Sequence, residues 1–160
     1  MSAVVVAAAS FVLMEGVSYA AHRWVMHGFA IGWHRSHHVS SKGRVERNDL
    51  FPLCFAAVGA ALFGAALAVP WLRWVAIGVT AYGACYLFVH DIYIHRRLPS
   101  PVRSNAYLDW LRSSHRAHHI RGGEPYGMLL PLVRSAAPTV QPRKSDRDAL
   151  DRRVRVASSR

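Results

Sequence analysis

The sequence predicts an all-α integral membrane protein with three or four transmembrane helices. Three observations carry that prediction. Hydrophobic residues make up 52% of the 160 positions, and they are gathered into three long runs rather than spread at amphipathic spacing. The formal net charge is +11, yet almost every Lys and Arg lies outside those runs. All ten histidines fall into tight clusters beside the same runs.

The runs are Ala3 to Ala21, Phe51 to Val69 and Trp71 to Val89. Each has 19 residues, which as a helix spans about 28 Å, close to the ~30 Å hydrocarbon core of a bilayer. In the first run Ser18-Tyr19-Ala20-Ala21 has the small residues of a cleavage point. No basic residue precedes the run, however, and Glu15 interrupts it, so it reads as a retained span. Pro70 leaves room only for a turn, so the second and third runs form a hairpin. Ala60, Gly64 and Ala68 on the second run, with Gly78, Gly83 and Ala84 on the third, suggest close helix contact through small residues.

Orientation follows from the cations. Arg23, Arg35, Lys42, Arg44 and Arg47 follow the first run, and the chain beyond His95 is rich in Arg. The positive-inside rule then puts the N-terminus outside and the C-terminus in the cytoplasm, as a multi-pass protein of the cell inner membrane. Anionic headgroups account for basic residues flanking apolar spans, so nucleic-acid binding is not indicated. Cys54 and Cys85 lie in apolar runs, and a disulfide framework is not indicated either. Pro125 to Pro131 is too short to span and is expected at the interface, where it could line a substrate entrance. Residues 1–140 read as one membrane domain and 141–160 as a polar, disordered tail.

The histidines are His22 and His27, then His34, His37 and His38; then His90 and His95, followed by His115, His118 and His119. The pattern is HX4H followed by HX2HH, twice. Topology brings all of them to the cytoplasmic face, and imidazole is the commonest protein ligand for metals. On a helix, positions i, i+3 and i+4 share a sector of about 100°, so each HX2HH trio is expected to face one point. Positions i and i+5 diverge by about 140° on a regular helix. Either the helix loosens there, or each member of an HX4H pair serves a different ion; two neighbouring ions make the second arrangement the natural expectation.

Ten imidazoles oversupply one or two four-coordinate zinc sites, and no Cys-His-Met grouping suggests blue copper. Glu15, Glu46 and Glu124 lack a histidine three residues on, which excludes the Glu-x-x-His sites of soluble di-iron bundles. Transport would place ligands nearer the bilayer midplane, and haem needs only one or two axial histidines. A histidine-rich membrane di-iron centre remains.

His22-Arg-Trp-Val-Met-His27-Gly, Trp33-His-Arg-Ser-His-His38, Asn48-Asp-Leu, Thr80-Ala-Tyr-Gly, Val89-His-Asp91 and His115-Arg-Ala-His-His119 together resemble the bacterial β-carotene 3-hydroxylases of the membrane fatty-acid hydroxylase superfamily. The resemblance runs from His22 to Met128. It implies a cytoplasmic-face di-iron site held by the ten histidines, molecular oxygen as co-substrate, and hydroxylation of β-ionone rings, taking β-carotene through β-cryptoxanthin to zeaxanthin. It also implies electrons from a ferredoxin fed by NAD(P)H, since the chain has neither a dinucleotide loop nor a cysteine set for an iron–sulfur cluster. The same site would serve a hydroxylase of another lipid, a fatty acyl chain or a sterol.

Three other residues are candidates to support the ligands. Glu15 lies on the helical stripe that leads through Tyr19 to His22, where it would orient a ligand N–H or partner a polar group on another helix. Asp91 adjoins His90. Asn48, with Asp49, is expected to cap the second run, with a place at the metal as the lesser reading. Tyr82, Tyr86 and His90 form an i, i+4, i+8 stripe read chiefly as aromatic packing.

Overall fold

A computed structural model describes residues 2–39 and 45–131. Lys42, Arg44 and the polar tail from 141 lie outside the described residues. Helix α1, Ala3–Ala20, begins where the Ser2 hydroxyl accepts the Val5 N–H. It continues into wider, π-type turns over Ala21–Phe29 and breaks at Gly28. Helix α2, Ile31–His38, folds back from that break. A single 3₁₀ turn at Arg47–Asp49 leads into α3, Leu50–Ala65. After the turn at Pro70, α4, Leu72–Leu87, runs back and itself widens into π-type turns over Phe88–Ile94.

Helix α5, Ala106–Arg121, starts at Asn105, whose Oδ1 accepts the Leu108 N–H at 3.0 Å. It stops at Gly122, which adopts the left-handed conformation (φ +68°) and donates its N–H to the His118 carbonyl. A side chain there would be strained, and glycine is the usual residue at this position of a helix end.

Three helices are long and apolar enough to cross a membrane: Ala3–Phe29, Arg47–Ala65 and Leu72–Ile94. Among the described residues no fourth qualifies. Helix α5 carries Asp109, Arg112, Arg116 and Arg121, and it contributes Leu108 and Leu111 to a small core with Val89, Tyr93 and Met128. That core lies at the histidine end, so most apolar side chains of the spans face outward, as lipid rather than protein would cover them.

Helix α4 is the centre of the bundle, packed against both α1 and α3. Its approach to α1 requires Gly78, where a Cβ would collide with the Ala7 carbonyl oxygen and come within 2.7 Å of Ser10 Cβ. The α3 contact is set at Gly59, 3.3 Å in the same sense from Thr80 Oγ1. The expected ridge of Ala60, Gly64 and Ala68 is therefore corrected: nothing lies within 4 Å of a Cβ at Gly64. Spacing alone showed small residues, and packing selects the neighbouring register. Replacing Gly78 by Leu should overpack this contact by about 1–3 kcal/mol and lower the thermal unfolding midpoint in detergent, while Gly64→Leu should leave it unchanged.

Candidate metal centre

The ten histidines converge, but not in the groups their spacing suggests. One nest comprises His22, His27, His34, His38 and His118; the other comprises His37, His90, His95 and His115; in each, the ring nitrogens lie within 4.8 Å of one another. His119 links the two: its Nε2 is 2.8 Å from that of His115, and its ring stacks on His38 at 4.3 Å.

Each HX2HH trio is split between nests. His34 and His38 go one way and His37 the other; His118 goes one way and His115 the other. The i+3 and i+4 side chains leave the helix on opposite sides of i, so α2 and α5 each straddle both sites. Each HX4H pair, conversely, stays in one nest. The helix has loosened: Ala30 N–H donates to the Val25 carbonyl and His95 N–H to the His90 carbonyl, both i to i+5 bonds. In that winding residues five apart come into line, and the division of each pair between two ions is corrected.

The far nitrogens are fixed by acceptors. His22 Nδ1 lies 2.9 Å from the Tyr126 carbonyl, His34 Nδ1 2.7 Å from Asn48 Oδ1, and His118 Nδ1 2.5 Å from the Gly123 carbonyl. His37 Nδ1 is 3.2 Å from Glu46 Oε2, and His90 Nδ1 is 3.3 Å from Asp91 Oδ2. Carbonyl and carboxylate oxygens only accept, so in each ring Nδ1 carries the proton and Nε2 presents a lone pair. Those lone pairs meet. The Nε2 atoms are 3.1 Å apart for His22 and His34 and 2.9 Å apart for His90 and His37.

Two protons are not available to separate them. Burial, reinforced by neighbouring imidazoles, pushes His34 down to about 4 and His95 and His118 down to about 3, and pushes His37, His115 and His119 well below the ordinary histidine range. Lone pairs facing each other without a proton need a cation between them. The spacing fits one: imidazoles about 2.1 Å from a shared ion at right angles have nitrogens roughly 3 Å apart. The donor set is thus suited to a metal ion in each nest.

The supporting residues only partly match the expectations. Asp91 does face His90. The expected caps are corrected: Asn48 holds His34, and Asp49, at the cap position of α3, makes no side-chain bond to that helix and accepts the Glu46 N–H instead. Glu15 touches no histidine. Its carboxylate accepts the N–H groups of Met128, Leu129 and Leu130 and the Tyr82 hydroxyl, fastening residues 126–130 behind the first nest. Gly127 is required in that turn, since a Cβ would lie 2.9 Å from Glu15 Oε1. Tyr86 stacks on His90 with ring centroids 5.2 Å apart.

Glu46, Arg97 and the carbonyls of Gly123 and Tyr126 have no sequence signal of this kind. Arg97 is the tie among them: its guanidinium lies 2.6 Å from Asp49, 3.2 Å from Asp91 and 3.3 Å from Glu46. It is aimed there by Arg96, which turns the chain in the left-handed region (φ 52°).

Between α1, α3 and α4 runs a cavity of about 460 Å³, closed at one end by Asn48, Asp49, His90 and Asp91 and mainly apolar beyond them, with hydroxyl groups from Ser18, Thr80, Tyr82 and Tyr86. Residues 125–131 do not line it. They back the histidines instead, and the expectation that they form a substrate entrance is not met by this cavity.

Fold and site define a helical membrane protein with paired histidine nests at the ends of its spans. The chain belongs to the fatty acid hydroxylase family, whose profile matches residues 7–135. It is similar to a β-carotene hydroxylase of Pseudescherichia vulneris, with 43% identity over 118 residues, covering 72% of this chain and 67% of that one. A β-carotene hydroxylase of Paracoccus sp. is 35% identical over 149 residues, 91% of each chain. The chloroplastic β-carotene 3-hydroxylase 1 of Arabidopsis thaliana is 37% identical over 125 residues, 73% of this chain and 40% of that one. No solved structure matches.

Removing an acceptor behind a ligand typically costs about 10–100-fold in metal affinity. Glu46→Ala should therefore weaken metal at the second nest and Asn48→Ala at the first, each by that amount, as measured by competitive chelator titration of the purified protein.

Proposed function

We propose that the protein is a carotenoid hydroxylase that inserts one oxygen atom from O₂ into a C–H bond at carbon 3 of a β-ionone ring. β-Carotene would pass through β-cryptoxanthin to zeaxanthin. The observation that carries this reading is the pairing of two buried histidine nests with similarity to β-carotene hydroxylases along most of the chain. Each turnover forms one C–O bond, releases the second oxygen atom as water and consumes two electrons and two protons from outside the chain.

The two irons would be held by His22, His27, His34, His38 and His118 and by His37, His90, His95 and His115, with His119 between them. Bound there, iron supplies the oxygen activation that an unactivated C–H bond requires and that acid–base side chains cannot provide. The protein's part is to hold and exclude. Tyr126, Gly123, Asn48, Glu46 and Asp91 fix the tautomers of His22, His118, His34, His37 and His90, so that each of these presents an Nε2 lone pair. Glu15 closes residues 126–130 over one side, and α5 covers the other, shielding the site from water.

Reduction would come from a carrier of the ferredoxin type. Arg35 and Arg116 are exposed on the helices that bear the nests, and they suit an acidic partner. The same arginines set the orientation proposed here, with nests and C-terminus on the cytoplasmic side of the inner membrane. The membrane domain is taken to end near residue 140, ahead of a polar tail.

Pigment chromatography of a carotene-accumulating bacterium expressing the chain tests the reading. Zeaxanthin should form with the parent and disappear with His115→Ala or His38→Ala, both still inserted in the membrane. Unchanged β-carotene from iron-loaded parent supplied with reductant would reject the carotenoid substrate, and zeaxanthin from either variant would reject the ligand set.

A further inference from the structure

The cavity between α1, α3 and α4 is shaped for a rod. Along α3 its lining runs from Asn48 to Phe63, and along α4 from Asp91 back to Val79. At ~1.5 Å per residue these stretches measure about 22 and 18 Å, so the cavity lies along the helices rather than across them. Its volume of about 460 Å³ is within the usual range of ligand sites, ~300–1,000 Å³. One end reaches His90 and the side chains that hold His34 and His90; the other reaches Phe63 in the apolar part of the spans.

Its open side is kept so by small residues. Ala56, Ala60, Gly83 and Ala84 line the cavity and are exposed. Nothing lies within 4 Å of a Cβ built on Gly83. The bilayer therefore has direct access along the α3–α4 seam.

Resting on the reading of the protein as a carotenoid hydroxylase, we propose that this slot seats the substrate end-on: one ring at His90 and Asp91, the adjoining polyene along α3 and α4, with Gly83 and Ala60 setting the width that admits it. An apolar rod is the occupant the slot fits, because the lining offers no polar partner between the histidine end and Phe63 except the hydroxyl groups of Ser18, Thr80, Tyr82 and Tyr86. Tyr82 already donates to Glu15.

The test uses full-length protein with Gly83→Leu and Ala60→Leu as slot-filling variants, and Val58→Phe, an exposed α3 position outside the slot, as control. Two quantities are read beside iron content: the rate of β-carotene conversion, and the β-carotene retained by each protein in the His115→Ala background after detergent purification. Both should fall about 10-fold or more in the slot-filling variants, with iron unchanged and the control matching the parent. A converting parent whose slot-filling variants convert and retain carotene equally well would overturn the seat and leave the hydroxylase reading intact. Loss of iron in step with activity would also overturn it, as the substitutions would then act on the nests. A parent that retains carotene through the slot without converting it would overturn the hydroxylase reading while leaving the seat standing.

Discussion

The contact on which the rest depends is one imidazole lone pair facing another at about 3 Å. Several such contacts occur in a space from which water is largely removed, and an uncompensated buried acceptor costs roughly 1–3 kcal/mol. In isolation the arrangement opposes folding. It becomes favourable when a cation takes the place of the missing protons, so the nests couple the fold to metal much as other histidine sites do. The acceptors behind the rings make the coupling firm, because they hold Nδ1–H and leave Nε2 no alternative.

Much of the architecture can be understood as bringing these rings together. Two spans end in π-type turns, and the i to i+5 bonds at Val25–Ala30 and His90–His95 bring each HX4H pair onto one side. Helices α2 and α5 lie across both nests: α2 gives His34 and His38 to one and His37 to the other, and α5 gives His118 to one and His115 to the other. The result has an internal likeness: each nest takes a pair from a span and at least one ring from each of α2 and α5. Arg97 then joins three carboxylates, two of which support the second nest. Its half-buried charge is balanced by those partners, without which it would be costly.

The amino-acid pattern revealed the spans, the hairpin at Pro70 and every histidine. These are features of hydropathy and residue type, which are local. The grouping of the histidines was not legible, because it depends on helix winding: a regular α-helix separates His22 from His27, and only the observed π-type turns reunite them. Glu15 was visible as a costly carboxylate in an apolar run, but beside Tyr82 its partners are backbone amides more than 110 residues away, and amides carry no sequence signal. Asn48 looked like a helix cap because it precedes α3; a turn of 3₁₀ helix intervenes there, and Asn48 holds His34 instead. Gly59 rather than Gly64 meets α4 for a similar reason, since the register of two packed helices is a tertiary property.

Each nest is proposed as the site of one iron. Metal analysis of the purified protein combined with X-ray absorption at the iron edge tests it most directly. About two irons per chain are expected, each surrounded mainly by imidazole nitrogen near the ~2.1 Å typical of such bonds. A single metal per chain, or zinc in place of iron with iron unable to displace it, would contradict it.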